Sequence, residues 1–211
     1  ITKNKNIMNP LTSIKGTIAS GFVLALIVAF YFSTENSSLF DNTGMRNLAI
    51  WLHALFGVTW VGLLYYFNFV QVPAMGEALA DEGGPGPAAI GKYIAPKALL
   101  WFRMSAAATW LTGAWAIEMK YGFMDAFLFK TTFGGAGDMI GLGAWLGTIM
   151  LFNVWVLIWP NQKKILGIVE ASAEEVAKAK FTASMASRTN VVLSVPMLLC
   201  MIGAGHGGYL F

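Results

Sequence analysis

Residues 50–72 read IWLHALFGVTWVGLLYYFNFVQV, an unbroken run with no charged side chain and one histidine, His53, near its head. At 1.5 Å per residue a helix of this length crosses about 30 Å of hydrocarbon. A stretch that apolar predicts a membrane span, and the imidazole inside it then needs a partner, because unpaired polar groups are costly in lipid.

Four further runs have the same character. The predicted spans are about 16–32 (GTIASGFVLALIVAFYF), 47–72, 98–117 (ALLWFRMSAAATWLTGAWAI), 139–159 (MIGLGAWLGTIMLFNVWVLIW) and 191–211. The first has a long apolar core with no A-x-A site after it, which predicts a retained span. Composition agrees: 56% of the 211 residues are hydrophobic and 12% charged, against about 25% charged in soluble domains. The expected architecture is an all-α, integral membrane five-helix bundle forming a single domain over 1–211. So few charges, with a net charge of +3, argue against nucleic-acid binding and leave the lipid bilayer as the first partner. The single cysteine, Cys200, excludes a disulfide within the chain and a CxxCH haem attachment.

Basic residues near span ends set orientation. Lys3, Lys5, Lys15, Lys92, Lys97, Lys163, Lys164, Lys178, Lys180 and Arg188 fall on one side, and Arg46, Lys120 and Lys130 on the other. The N-terminus is therefore expected in the cytoplasm and the C-terminus outside, which in a bacterial inner membrane is the periplasm. Residues 165–187 read as a cytoplasmic amphipathic helix.

In that topology His53 descends from the outer face in the second span, and His206 (MIGAGHGGYL) lies in the last turns of the fifth. The chain has no other histidine. Two helices that each offer one imidazole at matched depth predict axial ligation of a b-type haem by His53 and His206. Gly57 and Gly203 lie about one turn from their histidines and leave room for a flat macrocycle. Arg46, two turns above His53, is within reach of propionates. Trp51, Trp60, Phe56 and Met201 are candidates for the apolar wall, and Met197 or Met201 is the alternative second ligand. Hydrogen bonding to a carbonyl, or snorkelling, is the competing account of each histidine.

Arg103 enters the third span from the cytoplasmic side, where snorkelling competes with an anion or substrate site shared with Lys97 and Asn153. Asn68 and Asn153 are expected chiefly to make interhelical hydrogen bonds. Gly141, Gly143 and Gly147 read as close helix packing. No acidic residue lies mid-span, which argues against a proton-coupled transporter.

Three stretches, WLHALFGVTWVGLLYYFNFVQVP, GTIMLFNVWVLIWPNQKKI and SRTNVVLSVPMLL, together resemble the urate oxidase N-terminal membrane-domain family over roughly residues 46–206. The resemblance implies a membrane redox protein that hands electrons to a cytochrome c domain. That domain's CxxCH is absent here, so the expected acceptor is a separate periplasmic cytochrome c. Three functions follow as expectations: a haem b electron-transfer protein, a urate hydroxylase or other small-substrate oxidase, and an accessory subunit of a larger respiratory or photosynthetic membrane complex.

Overall fold

The computed structural model describes residues 9–31 and 40–206, and within them every regular element is helical. The chain divides into two units, residues 1–45 and 46–211. In the first, α1 (Ile14–Tyr31) is capped by Ser13, whose Oγ accepts the Gly16 N–H at 3.0 Å. No residue of α1 is buried, and its apolar side chains emerge on all sides. A helix that is hydrophobic all round needs apolar surroundings.

The second unit holds α2 (Asn42–Tyr66, its body from residue 46), α3 (Val72–Ala80), α4 (Ala95–Tyr121), α5 (Phe123–Phe127), α6 (Gly135–Phe152), α7 (Trp159–Ile165) and α8 (Ala173–Gly205). Short π turns at 67–71, 90–94 and 153–158 make α2–α3 and α6–α7 continuous rods and extend α4 backwards. Each π turn ends two residues before a proline: Pro73, Pro96 and Pro160. Proline has no N–H and its ring crowds the carbonyl four residues back. The residue before each proline answers by donating five residues back: Val72 to Phe67, Ala95 to Ile90 and Trp159 to Val154. The wider turn carries the helix past the proline without a break.

Four helices, Ile14–Tyr31, Asn42–Ala80, Gly135–Ile165 and Ala173–Gly205, are long and apolar enough to cross a membrane. The predicted third span, within α4, is as long but less apolar, since it carries Arg103 together with threonines and tryptophans. It still contributes Leu99, Phe102 and Ala106 to the main core, beside Trp60, Leu64 and Phe67 of the α2 rod, Met150, Val154 and Ile158 of the α6 rod, and Ala186 and Met197 of α8. Residues 173–187, read from sequence as part of a separate helix, run without interruption into the last apolar stretch, starting from a capping box between Ser172 and Glu175. Positions 207–211 of the fifth predicted span, and Phe32 of the first, lie outside the described residues.

Polar side chains stitch the core. Asn153 Nδ2 donates to Asn190 Oδ1 at 2.8 Å, and Asn190 Nδ2 donates to the Met150 carbonyl at 3.0 Å. Asn68 Nδ2 donates to Ser187 Oγ at 2.8 Å, and the Tyr65 hydroxyl meets Ser194 Oγ at 2.9 Å. Ser187, Asn190 and Ser194 recur at helical spacing on one face of α8. The stretches NFVQVP, NVWVLIWP and SRTNVVLSV therefore meet in space, and the amides predicted to bond between helices do so.

Candidate functional site

Above this polar ladder a cavity of about 670 Å³ is lined by residues of α2, α4, α6 and α8. Its walls are almost wholly apolar, and Trp60, Ile117, Ala144, Met197 and Met201 are among them. That volume lies in the range of ordinary cofactor and small-molecule sites.

His53 is one of the few polar groups in the lining. Its Nδ1 lies 2.8 Å from the Thr109 carbonyl. A carbonyl only accepts, so Nδ1 carries the proton and donates it, and in the neutral ring the lone pair is left on Nε2. A histidine oriented in this way is prepared to ligate a metal through its second nitrogen. Nε2 has no hydrogen-bond partner among the described residues.

The sequence permits this arrangement at one position, Gly113. In an α-helix the Thr109 carbonyl faces the N–H of residue 113. Any Cβ there would stand 2.8 Å from both Cε1 and Nδ1 of His53. Glycine thus lets the imidazole lie against α4 and reach the carbonyl's second lone pair. Gly57 is also turned towards α4, where its Cβ would meet Thr109 Cγ2 at 3.7 Å.

His206 caps the end of α8. Its Nδ1 donates to the Ile202 carbonyl at 2.8 Å, the ring is exposed, and Ala204 and Gly205 beside it line the cavity while His206 does not. Gly203 is buried in α8. Arg46 is half-buried and lies outside the lining; the cation at the cavity is Lys120, whose Nζ also sits over the Tyr121 ring at 4.7 Å. Of the predicted wall residues, Trp60 and Met201 line the cavity, and Trp51 and Phe56 do not. Trp60 is 2% exposed and its Nε1 is a buried donor without a partner.

The glycines of α6 divide in role. Gly143 packs against Cys200 and Met201 of α8, Gly141 packs against the Ala126 carbonyl, and Gly147 lines the cavity. Arg103, Lys97 and Asn153 do not come together at the cavity. Asn153 is buried on Asn190, Lys97 is exposed, and the Arg103 guanidinium lies 3.7 Å over the Trp159 ring. Thr109 and Gly113 carry no signal of a site in the sequence, and Lys120 entered there only as a marker of orientation. Gly113, inside an otherwise helix-favouring run, signals only that a side chain approaches there closely. Among the described residues no group of three or more His, Cys, Asp or Glu side chains is placed to hold a metal ion.

No curated protein and no solved structure matches the chain. Residues 117–211, from the last turns of α4 through α5, α6, α7 and α8, match the family model described as Urate oxidase N-terminal, so the resemblance read from the sequence holds over this stretch.

Proposed function

We propose that the chain is a membrane electron-transfer protein that binds haem b in the cavity between α2, α4, α6 and α8. The observation that carries the reading is His53, with Nδ1 held by the Thr109 carbonyl and Nε2 left for a ligand in an apolar cavity of about 670 Å³.

The residues fit such a group. The lining is apolar, Gly57, Gly113 and Gly147 keep it open, and Trp60 Nε1 is a buried donor still without an acceptor. His53 would hold the iron through Nε2. His206 is the second ligand that the sequence favours, and Met197 and Met201 are thioethers that line the cavity. Lys120 would pair with propionates at the polar end, the role foreseen for Arg46. Bound haem supplies reversible one-electron chemistry; the chain's part is to orient the imidazole, exclude water and set the local field. In the topology read from the basic residues this end of the bundle faces the periplasm of a bacterial inner membrane, where a soluble cytochrome c could approach.

A reduced-minus-oxidised absorption spectrum of the purified protein, with a pyridine haemochrome count, tests the proposal. A b-type α-band at one haem per chain is the expected result, and folded protein without haem would overturn it. The family match over 117–211 favours a second reading, an oxidase of urate or a similar small planar anion. Reduction of the haem by added urate would separate that reading from pure electron transfer.

A further inference from the structure

At the opposite end of the bundle from the cavity, Arg103 of α4 and Trp159 of α7 form a second arrangement that does not depend on any haem. The guanidinium carbon lies 3.7 Å from the centroid of the Trp159 ring, stacking distance for a cation on an aromatic face. Arg103 is half-buried, yet among the described residues it has no ion pair or hydrogen bond. A guanidinium seated over an indole is restricted in its motion and its own donors are coplanar, so less freedom is lost when an oxyanion docks on them.

The surroundings select the kind of anion. Lys163 follows Trp159 by four residues and so shares its face of α7. Lys97 lies in the first turn of α4. The one acid paired nearby, Glu175, is taken by Lys164 at 3.5 Å. Basic side chains thus stand in the first turn of α4 and in the last turn of α7. Towards the bundle centre the neighbouring surface turns apolar and open: Met104 is 52% exposed on α4, and Phe152 and Val156 are 54% and 49% exposed on the α6 rod. A snorkelling arginine would reach for water; this one is retained over a ring at the border between cationic and apolar surface.

We propose that Arg103, stacked on Trp159, binds the phosphate of an anionic phospholipid headgroup, with the acyl chains lying over the apolar surface of α4 and the α6 rod. Phosphate offers paired oxygens to the planar donor set, and the lipid source follows from the apolar surface that continues from it.

Native mass spectrometry of protein in mixed phosphatidylglycerol and phosphatidylcholine nanodiscs tests this. Wild-type protein is expected to retain one phosphatidylglycerol in preference to phosphatidylcholine. Arg103→Gln is expected to lower that preference roughly tenfold or more, the factor carried by lost charged hydrogen bonds. Trp159→Leu should give a smaller loss, and Lys130→Gln, at the other end, none. Equal retention of the two lipids by wild-type protein would overturn the proposal, and that arm needs no variant to fold. Displacement of the bound lipid by millimolar inorganic phosphate would mark a site for soluble oxyanions and would also overturn it.

Discussion

Gly113→Ala is the sharpest perturbation the structure offers. The new Cβ would lie 2.8 Å from Cε1 and Nδ1 of His53, whereas ordinary contact begins at 3.4 Å. The ring must then retreat by roughly 0.6 Å, and a hydrogen bond of 2.8 Å to the Thr109 carbonyl is stretched past the usual limit of about 3.2 Å. Losing one hydrogen bond within a membrane bundle costs about 0.6–1.5 kcal/mol, too little to unfold it. Losing the group that orients a ligating imidazole costs about 10–100-fold in affinity for the metal centre. Haem titration of detergent-solubilised apo-protein, beside circular dichroism of the same sample, reads the two effects separately. The expected result is native helicity with haem affinity lowered by that factor. If Gly113→Ala binds haem with wild-type affinity and an unchanged spectrum, His53 does not ligate through an Nε2 prepared by Thr109.

Other substitutions address the remaining links. His53→Ala is expected to abolish haem retention while leaving the helices inserted, and His206→Ala to do the same if it supplies the second ligand; should Met201→Leu rather than His206→Ala change the low-spin spectrum, the thioether is the ligand. Lys120→Gln should shift the haem midpoint potential or weaken binding without removing an axial ligand, and unchanged values for both would dismiss the propionate contact. Asn190→Leu leaves the buried Asn153 amide unpaired and should cost about 1–3 kcal/mol in an unfolding titration; a neutral result would mean that the polar ladder contributes nothing to stability. Gly141→Ala drives a methyl into the Ala126 carbonyl and should lower stability by about 1–3 kcal/mol through the α5–α6 contact, whereas Gly147→Ala meets open space and should spare the fold, a contrast that thermal denaturation can measure.

The sequence by itself determined the class of protein, because the length and apolarity of its runs reflect solvent preference residue by residue. It also marked Asn68, Asn153, Gly141 and Gly143 as interhelical, since a polar or very small side chain within an apolar run has few other uses. It singled out His53 as well. What pairs with His53 was decided by tertiary structure alone. The Thr109 carbonyl belongs to a backbone identical at every residue, and its accessibility depends on α2 crossing α4 opposite Gly113. The cation at the cavity was a question of the same kind. Arg46 precedes His53 by two helical turns, but proximity along one helix does not place a side chain in a gap between four. Lys120 comes to the cavity from another helix, where α4 ends. The three prolines show the division again: their positions were plain in the sequence, while the π turns that absorb them depend on hydrogen-bond register, which only the folded backbone specifies.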